Sequence, residues 1–296
     1  MFTNTSDMTK PHALWLPAVA LLSTLATTSC NRSSDQGIST AIAESIVTRE
    51  LAVLETETTS EEIETRLTTP SGCFSGPFNG APFGAMWPEC ASIVDSGLDS
   101  DPRTIAVSFE DGCTGPQGNP LSGTMTIEIV GAGDSLLAVG DGRTITHEDF
   151  QRGNRVLNGT RSRFISSIDE NNQPTLDLSH DLSMAHPFGE INQSGGGTKV
   201  WLSGFGTPGD CSDDIWVRNF EANWTGPQGN GTTRILDGLT YDGACGYVIS
   251  GTITINRPNQ QVVIDFGDGE CDHFAIVNHN GNLFELNLET HEISPI

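Results

Sequence analysis

Residues Cys245–Cys271 read CGYVISGTITINRPNQQVVIDFGDGEC. Val248, Ser250, Thr252 and Thr254 alternate with Ile249, Gly251, Ile253 and Ile255, the period of two that marks a half-buried strand. Arg257-Pro258-Asn259-Gln260 supplies a turn, because proline fixes one dihedral and asparagine tolerates unusual ones. Val262, Val263 and Ile264 open the return strand, and Gly267-Asp268-Gly269 closes it. The two cysteines then fall at the open end of one hairpin, where a disulfide closing a loop of this length is worth about 3 kcal/mol.

The same design occurs earlier, from Cys90 to Cys113, as CASIVDSGLDSDPRTIAVSFEDGC. Two further matches lie between. Val107–Asn119 (VSFEDGCTGPQGN) and Arg218–Asn230 (RNFEANWTGPQGN) share Phe-Glu and all of Thr-Gly-Pro-Gln-Gly-Asn, and Ser-Gly-Thr-x-Thr-Ile begins at both Ser122 and Ser250. Further strands are expected at Leu136–Val139, Thr144–His147, Arg161–Ile168, Thr175–Leu182, Phe274–His279 and Asn282–Leu288, with tight turns at Asn158-Gly159 and Asn280-Gly281. The expected fold is mainly β: an antiparallel β-sandwich or curled sheet with two related halves, 73–200 and 201–296, which one packed body can also accommodate.

A short helical segment is expected ahead of the sheet. Ile42, Ile46, Val47, Leu51 and Leu54 share one helical face, and Ser60-Glu61-Glu62 has the form of a second helix start. Residues 30–72 are therefore read as a tether and helical leader. Before them, Lys10 and His12 precede an apolar run, Ala13–Ala26, that is short for a membrane span. Small residues and Cys30 follow, so residues 1–29 resemble a bacterial lipoprotein signal peptide in which Cys30 takes the lipid. Thr27 stands where such signals usually carry leucine. Asn31, rather than aspartate, after the cysteine favours the outer membrane. The expected location is the cell envelope, on the periplasmic or surface side, where disulfides persist. Apart from Cys30 there are six cysteines. The hairpins pair Cys90 with Cys113 and Cys245 with Cys271, which leaves Cys73 for Cys211 by exclusion.

The chain carries 38 acidic residues against 14 basic ones, a net charge of -24. No basic stripe appears in the sequence, which argues against nucleic acid, and none is expected as a partner. The expected partners are the membrane, through Cys30, and a polysaccharide or envelope protein.

The stretch Phe109–Gly118, with its Asp-Gly-Cys-Thr-Gly-Pro, and the later Asp265-Phe266-Gly267-Asp268-Gly269-x-Cys271-Asp272 resemble a group of uncharacterised envelope lipoproteins of Bacteroidota-like Gram-negative bacteria. The resemblance covers most of residues 90–290 and implies a lipid-modified cysteine, a short helical leader and a β-rich body. It departs at Glu110, where glycine is usual, and at Trp224, which replaces the cysteine of the other copy. DFGDG is also similar to the core of a PKD-type immunoglobulin-like module, without the tryptophan that usually precedes it.

Chemistry-bearing residues are sparse in pattern. Asp265, Asp268 and Asp272 are closely spaced hard oxygen ligands of the kind calcium takes, but the glutamate that closes a calcium loop is missing, and a plain acidic turn accounts for them better. His147-Glu148-Asp149 and His180-Asp181 are acid–base groups if a cleft holds them. No HExxH, nucleophile elbow or phosphate-cradling glycine loop is present. No catalytic residue and no cofactor is assigned. Among Trp87, Trp201, Trp216 and Trp224, the last, at a hairpin end, is the best placed as an exposed ligand platform. The expected function is a membrane-anchored envelope lipoprotein with a non-enzymatic structural or polysaccharide-binding body. A glycan-acting hydrolase, or an accessory domain of one, would need paired carboxylates. A carrier of apolar ligands would need a closed barrel.

Overall fold

The computed structural model describes residues 88–296, apart from Leu98, 116–117, 132–137, 187–188, Gly206, 208–209, Gln228, Glu289 and His291. Signal segment, Cys30, leader, Cys73 and Trp87 lie outside the described residues.

Fourteen strands form one antiparallel sheet, each paired with its neighbours in the chain: β1 (Ala91–Asp95), β2 (Arg103–Phe109), β3 (Leu121–Val130), β4 (Gly142–Arg152), β5 (Arg155–Ile168), β6 (Pro174–His186), β7 (Gly189–Ser203), β8 (Ile215–Gly226), β9 (Gly229–Asp242), β10 (Tyr247–Arg257), β11 (Gln260–Asp268), β12 (Phe274–His279), β13 (Asn282–Asn287) and β14 (Ile293–Pro295). Among the described residues β1 and β14 do not pair with each other, so the sheet is not closed into a barrel. One continuous sheet, rather than two separate ones, is the form the described residues take.

Both disulfide hairpins form as the sequence predicts. Cys90–Cys113 brackets β1 and β2, and Cys245–Cys271 brackets β10 and β11, with Cα–Cα distances of 5.5 and 5.6 Å. Both copies of Thr-Gly-Pro-Gln-Gly-Asn fall at hairpin connections, β2 to β3 and β8 to β9. The two Ser-Gly-Thr motifs lie opposite bulges: Gly123 and Gly251 adopt φ of 83° and 101°, and beside each the partner strand, β4 or β11, carries one extra residue. A Cβ at Gly123 would strike the carbonyl of Asp149 and one at Gly251 that of Gly238, so only glycine fits.

Asn158-Gly159 is a third such device and not the expected tight turn. It lies inside β5, where Gly159 has a φ of 109° and sits against the Asp181 carbonyl. Asn280-Gly281 is a true turn, with both residues at positive φ between β12 and β13. The strand expected at Leu136–Val139 is not borne out in its described part: Val139 and Gly140 form the turn that enters β4.

Apolar side chains collect on one face of the sheet in separate clusters. One spans β2–β6 and includes Ile105, Val107, Met125, Ile127, Ile145 and Met184. Another spans β8–β13 and includes Phe220, Ile235, Ile253, Ile264, Val277 and Leu286. Phe284, Leu286 and Leu288 share this face as the period of two predicts. A small third cluster holds Ile165, Leu176 and Leu178, with Trp201 and Phe205 against it. A sheet this broad does not bury its inner face in one core, and the strands between the two large clusters carry something else.

Candidate functional site

One register row crosses eleven strands on the inner face. Beginning in β2 it runs Ile105, Ile127, Ile145, Arg161, His180, Gly195, Ala222, Thr233, Ile255, Val262 and His279. Isoleucine holds the flank, and the centre turns polar, small and cationic. The rows alongside repeat the change. Arg143 pairs directly with Arg163 across β4 and β5, and Lys199 with Arg218 across β7 and β8.

Alternation explains the placement. On β6, Leu176, Leu178, His180 and Leu182 are buried while Asp177, Ser179 and Asp181 are exposed. On β8, Phe220, Ala222 and Trp224 face inward, and Glu221 faces out to a salt bridge of 2.8 Å with Arg234. The period of two thus sends these acids outward and brings Arg143, Arg161, Arg163, Lys199 and Arg218 to the inner strip. Like charges directly opposite on a sheet are destabilising, so these pairs raise the local potential for an anion.

Aromatic rings lie among the cations. The Lys199 ammonium stands 4.3 Å from the Trp201 ring centroid and 4.2 Å from that of Trp216. Arg218 sits 4.7 Å over Phe220 and Arg257 4.6 Å over Trp224. Trp216 stacks on Tyr241 at 4.9 Å, and Trp201 Nε1 donates to Asp214 Oδ1 at 3.2 Å. Burial raises the Asp214 carboxyl above its usual range against the opposing pull of Trp201 and Lys199, and burial likewise raises Tyr241. Cation–π contacts of this kind strengthen as water is removed.

Glycine makes the strip possible. His180 on β6 stacks on Phe220 on β8 at 5.1 Å, with β7 between them. Gly195 and Gly197 leave no side chain in the way. A Cβ at Gly195 would lie 2.6 Å from Ala222 Cα, and one at Gly197 2.7 Å from Phe220 Cα, so only glycine fits at either position.

A ring position missed at the sequence level recurs on several strands. Phe109, His147, His180, Phe220, Phe266 and His279 each follow an alternating run and are each buried. The recurrent Ser-Phe-Glu, Thr-His-Glu, Ser-His-Asp and Asn-Phe-Glu would have shown it, had histidine and phenylalanine been treated as equivalent. His147 is 2% exposed, on the inner face opposite Gly159 of β5. Burial, reinforced by the Arg161 charge, lowers its pKa from 6.5 to about 4, so it is neutral near pH 7.

Several expectations are corrected. Trp224 is not an exposed platform: it is 6% exposed, because its parity with Phe220 turns it inward, over Gly231. The acids beside His147 and His180 point to the opposite face, so His147-Glu148-Asp149 and His180-Asp181 are not acid–base pairs in a shared cleft. Asp265 and Asp272 each accept a hydrogen bond from a backbone amide two residues on, at 3.0 and 3.1 Å. Among the described residues no three histidine, cysteine or carboxylate groups, Asp265, Asp268 and Asp272 included, stand together as a metal site. The Cys73–Cys211 pair falls outside what is described, since Cys73 precedes residue 88.

No protein-family model, curated protein or solved structure matches the chain.

Proposed function

We propose that this chain is a lipid-anchored envelope protein whose sheet is a non-enzymatic binding body for an anionic polysaccharide. The observation that carries the reading is the segregation of charge. A chain of net charge -24 turns Asp177, Asp181 and Glu221 of β6 and β8 outward and sets five of its 14 basic residues, Arg143, Arg161, Arg163, Lys199 and Arg218, together on the inner strip. Rings beside them supply flat apolar surfaces on which sugars stack, and the cations supply charge for carboxylates. The lipoprotein-like signal ending at Cys30 supports the anchor, and two disulfides closing sheet hairpins suit an oxidising compartment.

Two measurements test this. Cells expressing the wild type or Cys30→Ser are labelled with a clickable palmitate and shaved with protease, with and without outer-membrane permeabilisation. Labelling that vanishes with Cys30→Ser supports the anchor, and labelling that persists removes it. Electrophoresis of the soluble chain through gels containing polygalacturonate or neutral dextran tests the ligand class. Retardation by polygalacturonate alone is expected, and equal mobility in both sinks the polysaccharide reading.

A further inference from the structure

The inner strip is a cationic face, yet it is shut off from water. Arg143, Arg161 and Lys199 are 4%, 5% and 6% exposed, on a face where Gly195, Gly197 and Ala222 carry little side-chain bulk. Two buried polar groups on the same face, Trp224 Nε1 and Thr233 Oγ1, have no hydrogen-bond partner. Buried donors are ordinarily satisfied, so their presence here points to a site that receives something polar.

The sequence ahead of the sheet has the complementary charge. Between Ile38 and Leu67 stand seven glutamates, from Glu44 to Glu64, against Arg49 and Arg66 alone. The apolar positions Ile42, Ile46 and Leu51 suit the isoleucine-rich border of the strip. Reach is sufficient. Residues 68–87 separate this stretch from the described start of the chain beside edge strand β1. Fully extended they span about 65 Å, whereas β6 lies roughly 24 Å from β1 at the usual strand spacing.

We propose that the acidic leader, residues 38–67, is the resident occupant of the cationic strip on β4–β8, and that an anionic polysaccharide binds by displacing it. The second half rests on the binding role assigned above; the first does not. The leader thereby sets a threshold, since a ligand must compete with a tethered anion at high effective concentration.

Lys199 makes the test selective, because it is the only lysine after Lys10. Zero-length carbodiimide coupling of the full chain is followed by peptide mass mapping, with no polysaccharide present. The expected product joins Lys199 to a glutamate between 44 and 64, and it disappears when those seven glutamates are changed to glutamine. The same glutamine variant, its fold checked by near-ultraviolet circular dichroism, is expected to show greater iodide quenching of tryptophan, as Trp201 and Trp216 become accessible. Coupling of Lys199 only to carboxylates of the sheet, such as Asp214, with quenching unchanged in the variant, overturns leader docking. Repeating the coupling in polygalacturonate separates the two claims. Loss of the leader product supports displacement, whereas a product that persists unchanged removes displacement and leaves docking in place.

Discussion

The β2–β4 end of the sheet and its β5–β8 middle share one backbone register and differ in almost everything attached to it. Ile105, Ile127 and Ile145 occupy the central row at the end, and Arg161, His180, Gly195 and Ala222 continue it. The end is stabilised by its own apolar burial, about 2 kcal/mol for each isoleucine. The middle holds cations, rings and glycines. A continuous hydrogen-bonded sheet therefore does not imply a continuous core; strand pairing and side-chain burial are separate sources of stability here.

That contrast can be broken at four points. Ile127→Ala, at a site of no exposure, should lose about 4 kcal/mol by leaving a cavity. Urea unfolding checks it, and a loss below that of middle-strip variants would erase the distinction. His147, on β4 where the apolar end meets the middle, should make that border acid-sensitive. The unfolded chain takes a proton on this ring near pH 6.5 and the folded chain only near 4. Stability is present in full above pH 6.5, falls as pH drops toward 4, and falls no further on this account below that; the interval corresponds to about 3 kcal/mol. His147→Phe, which copies Phe109 and Phe220, should keep the fold at pH 7 and flatten much of that slope in a pH series of urea melts. His279, lowered in the same direction by burial and then by Arg257, should leave a residual slope.

Gly195→Ala should cost about 2 kcal/mol through overpacking, visible as a lower melting temperature, because its Cβ would meet Ala222. The smallest effect belongs to the rim of the apolar end. Arg103 donates to both carboxylate oxygens of Asp95, at 3.0 and 2.6 Å, and this guanidinium contact holds the Asp95 carboxyl below its usual range. Asp95→Asn should cost about 1 kcal/mol, since the pair is partly open to solvent, and thermal melts at low and high salt should show the wild-type advantage shrinking with salt.

The hairpins were legible because β-branched alternation, turn residues and cysteine placement all agree within a single stretch. Three features were not. Asn158-Gly159 has the composition of a turn, but what decides its role is the Asp181 carbonyl of the next strand. Trp224 aligns with Cys113 in the repeated motif, and a hairpin end suggests exposure; parity counted from Phe220 turns it inward. The cationic strip was hidden for a similar reason. Arg161 and Arg163 alternate with Ser162 and Phe164, and nothing local says which set faces the core. Register against Ile145 and Leu178 decides it, and register is a property of neighbouring strands.

Pairing between chain neighbours alone also bears on how such a body is made. Every strand finds its partner within a hairpin's length of chain, so the loop-closure entropy paid at each step is small. A polypeptide delivered end-first can add strands in the order they arrive, with no early segment waiting for a late one to complete its ladder. Assembly can then keep pace with delivery.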